Sequence, residues 1–419
     1  MSRFPLFIVG GITAAAFGPY LMVSVRTEQL AVYGAAALLL PFTFVRIRPY
    51  WSVLLPWLAL IIVAVAGLIP PTAHGSIYEP GNMLSSIDNL MLPVVAMLLV
   101  WSVVPHDMGE RVLRTVATVV VWGAAANGLL SIIGTRLDIS TYLRVFWGGE
   151  EGETTADRAA QLGRLSGIFN QPAEAGVVYG IAGLLAVWRY RHKPKTMLLL
   201  LTLISVGGML CVSKVFILGG IPLILAYLWM SRTGAGKAGV LFGVGLVGLG
   251  VAQSGFLQQW TGFNYLARLV APPEEQSLIE FYSAGRWNED AGMVGVFDTV
   301  MQARPLTGFG IEGLQVPYDS AWTEAVVVAG HLGVFLLAVV YLALLKMARR
   351  IVGEVGLLGT FVAVFLIGAS LGIPSLTVNR ASTIVWVVVS LLCMIALETK
   401  KGATQANARA APLVSSRPL

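Results

Sequence analysis

Charge is scarce in this sequence: only 12% of its 419 residues are Asp, Glu, Lys or Arg, against roughly 25% in soluble domains. Too few polar groups remain to coat a globule in water, which excludes a soluble enzyme. Cysteine is equally sparse, and two residues cannot build a disulfide framework. Cys211 and Cys393 fall near opposite ends of different apolar runs, too far apart to bridge, and read as small packing residues. Paired histidines at metal-ligand spacing, a phosphate-cradling glycine loop and a nucleophile elbow are all missing. These motifs therefore give no signal for a metal or a nucleotide cofactor. The alternation of a membrane barrel is missing too.

What is present is apolar: 56% of the chain is hydrophobic, in repeated runs of about 17 to 24 residues, the length a helix needs to cross a bilayer core. With lipid as solvent, every backbone group must be satisfied internally, so these runs must be helices. Spans are predicted near 6–24, 29–45, 51–69, 83–104, 112–134, 173–188, 196–212, 215–230, 238–254, 322–345, 354–371 and 382–397. The fold class expected is an all-α polytopic membrane protein with about twelve transmembrane helices. Residues 1–397 form one transmembrane domain, and 398–419 form a disordered cytoplasmic tail.

The net charge of +6 invites a nucleic-acid reading, which the placement of the basic residues removes. Short basic connections at Arg46–Arg48, Arg111–Arg114, Arg189–Lys195, Arg232–Lys237, Lys346–Arg350 and Lys400–Lys401 fall on alternate loops, the side the positive-inside rule makes cytoplasmic. That side holds 18 of the 28 Lys and Arg but only Asp107, Glu110, Glu354 and Glu398 among the 22 acids. Two outer, periplasmic loops are long, 135–172 and 255–321, and their content of Trp, Tyr, Arg and Glu predicts folded structure. In the second, Met293, Val296, Phe297, Val300 and Met301 recur at helical spacing, predicting a short amphipathic helix that lies on the membrane surface or packs as a lid. The glycines of 238–254 predict close helix packing.

Outer helix ends carry a set of cations: Arg164 in GRLSGIFNQP, Lys214 after Ser213, Arg286 in SAGRWNED and Arg380 in TVNRAS. Charge beside a bilayer is costly and marks function by default. Guanidinium and ammonium groups suit phosphate oxygens, so this set points to a pyrophosphate, whereas each cation alone could simply anchor a helix end. Arg268 and Arg304 read as solvated loop residues. Candidate acid–base groups on the same side are Asp319, Glu324, Glu174 and Asp88, with His331 deeper; on an unbroken helix Glu324 and His331 share a face about 10 Å apart. Trp287 and Trp322 are candidate platforms for a sugar ring, as are Trp147 and Trp260, although interfacial anchoring accounts for most tryptophans at that depth.

These residues resemble the O-antigen ligase and polymerase superfamily of bacterial inner-membrane enzymes. The likeness rests on GRLSGIFNQPAEAG at 163–176, on Ser213-Lys214 where the family commonly has Ser-Arg, and on SAGRWNED followed by ARPLTGFGIEG at 303–313. It implies metal-independent glycosyl transfer from an undecaprenyl-diphosphate-linked oligosaccharide at the periplasmic face. Arg164, Lys214, Arg286 and Arg380 would hold the diphosphate, and Asp319, backed by Glu324 or His331, would act as base. Ligases of the family typically carry a His-Asn pair where this sequence has Asp319-Ser320, which favours a polymerase, with a chain-length-regulating co-polymerase as partner. The alternatives are a ligase and, in another class, a secondary transporter.

Overall fold

The structure is a computed structural model that describes residues 3–21, 25–67, 83–148, 154–231, 260, 262–264, 266, 292–313 and 320–410. Among these residues the fold is all-helical. The first half comprises α1 (Phe4–Ala15), α2 (Thr27–Thr43), α3 (Trp51–Ala66), α4 (Met83–Val103), α5 (Gly109–Gly134), α6 (Ser140–Trp147) and α7 (Thr155–Gln161). The second comprises α8 (Pro172–Tyr190), α9 (Pro194–Leu210), α10 (Ile221–Met230), α11 (Gly292–Ala303), α12 (Ala321–Arg350), α13 (Glu354–Ala369) and α14 (Asn379–Ala410). Four of these, within α4, α5, α12 and α14, are long and apolar enough to cross a membrane, and five further apolar helical stretches are shorter. The chain is thus a membrane-embedded protein. Each apolar run read from the sequence contains a helix, although in 6–24 it ends at Ala15; the exception is 238–254, which lies outside the described residues, as does most of the second long loop.

The helix that is apolar on every side belongs in the middle, and α14 occupies it, packed against α4, α5, α8 and α12 and almost wholly buried over its apolar stretch. Trp57 and Trp386 meet edge to face there, 4.9 Å between centroids. Three buried indoles of this core each find a carbonyl: Trp57 donates to Leu90, Trp101 to Ser390 and Trp386 to Leu376, at 3.1, 3.1 and 2.8 Å. Each would otherwise leave an unsatisfied donor in a dry interior. Conversely Phe7, Leu38, Phe42, Ile62, Phe335 and Leu342 stand exposed on helix flanks, as an apolar solvent permits. Close backbone approach occurs between α5 and α9, where a Cβ on Gly207 would sit 2.5 Å from the Gly128 Cα.

Two features depart from the sequence reading. Helix α14 continues to Ala410, into the segment expected to be a disordered tail. More consequentially, α12 is broken at Ala329 and Gly330, the latter at φ +58°. A loop docks into the break: Phe309 N–H donates to the Val327 carbonyl (2.7 Å), while His331 and Leu332 N–H donate to the Pro305 and Leu306 carbonyls (2.8 and 3.3 Å). Gly330 is required on two counts, its positive φ and the 2.5 Å that would separate a Cβ from the Pro305 oxygen. The amphipathic helix of the second loop is α11, and its Val296, Phe297, Val300 and Met301 pack on Phe309, Val326, Val327 and Val334. Its apolar stripe covers α12 as a lid.

Candidate functional site

The first long loop is folded as its composition predicts: α6 and α7 cap the end of the bundle where α5 finishes and α8 begins. At this loop end the segment 163–169 crosses the C-terminus of α9. The Leu165 N–H donates to the Leu210 carbonyl (2.9 Å), and the Trp260 indole N–H donates to the Gly163 carbonyl (2.7 Å). The Arg164 guanidinium reaches the Val212 carbonyl at 3.4 Å. Arg164 is thereby brought beside the turn that carries Lys214, and both residues are half-buried.

The backbone at that locus is unusual. Val212 has φ +45°, the left-handed region that a β-branched residue rarely occupies, at a cost of about 1–3 kcal/mol. Lys214 then caps a wide π-helical turn, Val215–Gly220, that leads into α10. Strain of this kind and π-helical turns both gather at functional sites. Between them the Ser213 hydroxyl is buried against Gly176 of α8 and has no hydrogen-bond partner among the described residues. Sequence reasoning singled out Lys214 for its charge. It had no signal for the Val212 conformation, since valine ordinarily favours extended or helical backbone.

Arg380 is at the same end, but inside. It is 1% exposed; its guanidinium donates to the Ile168 and Phe146 carbonyls (3.0 and 2.6 Å) and lies over the Tyr20 ring at 5.0 Å. Its backbone N–H donates to Glu174 Oε1 (3.1 Å). These contacts tie the first loop to the start of α14 and direct the charge inward, so the geometry gives Arg380 a clamping role in place of the ligand-facing one expected. The clamp belongs to a buried ionic network that the sequence analysis did not assemble. Arg26, ahead of α2, pairs with Asp88 of α4 at 2.9 Å and with Glu28 at 3.3 Å. Asp88 also accepts from the Tyr33 hydroxyl (2.7 Å) and from the Gln29 amide. Glu174 lies within electrostatic reach of Arg26, Glu28 and Arg380. Asp88 and Glu174, expected as acid–base candidates, are therefore partners of arginines.

The remaining candidates separate. Glu324 accepts from the Thr377 hydroxyl at 2.6 Å and borders a cavity of about 20 Å³ among Trp57, Leu90 and Leu376, room for about one water. His331 is exposed, with Nδ1 2.7 Å from the Pro305 carbonyl. The expectation that Glu324 and His331 share a face fails because the break at 329–330 interrupts the helical phase between them. Trp322 is partly buried, donating to the Ser370 hydroxyl (3.0 Å) and packing 5.8 Å from the Tyr341 ring. It is a packing residue and no open sugar platform. Arg304, expected to be solvated, instead donates to the Gly67 carbonyl after α3 (2.6 Å). Arg286, Trp287 and Asp319 lie outside the described residues. Among the described residues no group of His, Cys, Asp and Glu is arranged to hold a metal ion. No protein-family model matches the sequence, and neither does any curated protein.

Proposed function

We propose that the chain is a metal-independent glycosyltransferase of the bacterial inner membrane that polymerises undecaprenyl-diphosphate-linked oligosaccharide units at the periplasmic face. In this reading about twelve helices span the bilayer, and the loop end, with its two long connections, faces the periplasm. The observation that carries the reading is the contact of Arg164 with the strained Val212 backbone, two residues before Lys214 at a helix end. Cations preplaced where negative charge grows on a departing diphosphate bind it more tightly in the transition state than in the ground state, and that difference is catalysis. An acceptor hydroxyl attacks the anomeric carbon, the glycosidic bond to the diphosphate breaks, and the proton passes to a carboxylate. Asp319 is the proposed acceptor of that proton, with Glu324 next in order because it lies on the same side of the α12 break; Arg286 is the proposed third cation.

Transport would call for charges on helices interrupted near the bilayer midplane. The interruption in α12 is filled by carbonyls of the chain itself, and Arg164, Lys214 and Arg380 sit at or beside helix ends. Purified protein in nanodiscs, supplied with a lipid-linked repeat unit, should yield a ladder of products; a single transfer seen only with a different acceptor would make it a ligase. Lys214→Ala should abolish transfer without loss of folding, and Lys214→Arg should retain it. Full activity in the Ala variant would remove Lys214 from the site.

A further inference from the structure

One hollow among the described residues lies away from Lys214. It lies under the first loop, about 530 Å³, walled by the end of α5, by α6 and α7, and by residues 165–167. That volume is within the range of about 300–1,000 Å³ typical of small-ligand pockets. Its titratable lining consists of Arg136, Asp138, Arg144 and Asp157, two positive and two negative groups. Asp157 is committed, capping α7 through Thr154 and facing Arg144 at 3.5 Å. Around these stand Ser131, Thr135, Ser140 and Gln161, with Leu143 and Ala160 as apolar wall. A balanced charge offers no gain to a phosphate or a carboxylate. Alternating hydroxyl, amide and aliphatic surface instead matches a polyhydroxylated ring with polar edges and C–H faces.

The outward side of the same element is different. Tyr142 and Val145 of α6 are exposed, which suits a helix lying at a bilayer surface with its far side turned to water. The hollow is also joined to the cation pair by the chain itself: Leu165 lines it, and the preceding Arg164 reaches Val212. We propose that this hollow is the subsite for the glycan of the lipid-linked substrate, taking a neutral, hydroxyl-rich oligosaccharide while the diphosphate is held at Arg164 and Lys214. This inference rests on the glycosyl-transfer reading but concerns a separate set of residues.

The test is binding to the full chain in phosphatidylcholine nanodiscs, followed by saturation-transfer NMR, with lipid-free oligosaccharides from dextran and chitin as neutral probes and from alginate as the acidic one. Wild type should bind a neutral probe. Ala160→Trp, which fills the hollow, should weaken that binding at least tenfold; Asp138→Asn, which removes the rim charge but keeps the oxygen that accepts from the Ser140 N–H, should weaken it several-fold. Lys214→Ala should bind as wild type does. The subsite is overturned if no neutral probe binds, if only the acidic probe binds, if both hollow variants bind normally, or if phosphatidylglycerol in the nanodisc displaces the sugar. Neutral binding lost in Ala160→Trp, together with no transfer from any lipid-linked donor, would keep the subsite and remove the polymerase; transfer with normal binding in both hollow variants would do the reverse.

Discussion

Replacing Arg380 by Met should unfold the loop end while leaving the bulk of the core unchanged. The variant removes two charge-assisted hydrogen bonds, to the Ile168 and Phe146 carbonyls, at about 1.5–3 kcal/mol each. It also takes one of two guanidiniums from a network that holds Glu28, Asp88 and Glu174. The two bonds together set a loss of about 3–6 kcal/mol, more than a hundredfold in the unfolding equilibrium. Equilibrium unfolding in detergent, followed by near-UV circular dichroism, reads this directly. Arg380→Lys keeps the charge but not the fork, and should recover about half of the loss. Glu174→Gln in the Met background should soften the defect, because the carboxylate left behind no longer needs a countercharge, with a coupling of about 0.5–3 kcal/mol. If Arg380→Met unfolds within about 1 kcal/mol of wild type yet loses transfer, the clamp is wrong and Arg380 faces substrate.

Further outcomes follow from single features. Gly330→Ala meets both a positive φ and the Pro305 oxygen, and should destabilise by at least ~2 kcal/mol while exposing 305–310 to proteolysis; a shift in thermal unfolding equivalent to less than about 0.5 kcal/mol would contradict the docking. The Asp157 carboxyl is held below the usual carboxylate range: burial opposes this, but the backbone and hydroxyl bonds from Thr154 and the nearby Arg144 outweigh it. The stability it gives α7 is therefore full above the unfolded carboxylate value near 4 and is lost as pH falls through the lower folded value. Amide exchange in α7, compared with its intrinsic rate, should show constant protection from pH 7 to about 4 and decline only below; a decline already between pH 7 and 5 would count against the pairing. Cys211 and Cys393 are both buried, so neither should react with a membrane-permeant maleimide before unfolding.

The helices were legible because lipid leaves an apolar run only one way to satisfy its backbone, and the helix ends fell within a few residues for α2, α4, α5, α8 and α13. Folded structure in the first loop and helix α11 were legible from aromatic content and spacing. The ionic network was not, because Arg26, Asp88, Glu174 and Arg380 are scattered along the chain and each alone looks like a helix-end charge. The only sequence hint was Arg26 standing two residues before Glu28 at the start of an apolar run. The break in α12 was also hidden: a glycine inside an apolar pattern reads as close packing, and only the partner loop reveals that it stops the helix. That single miss accounts for the separation of Glu324 from His331.

The clip between 305–309 and the interrupted α12 also bears on how the protein can be re-engineered. An unbroken helix would satisfy the amides of 331 and 332 from its own preceding turn; here that service is delegated to a stretch on the far side of the second loop. A chimaera that swaps this loop alone would leave those amides without the carbonyls that now accept from them. Any exchange of the loop between proteins must therefore carry the first part of α12 with it.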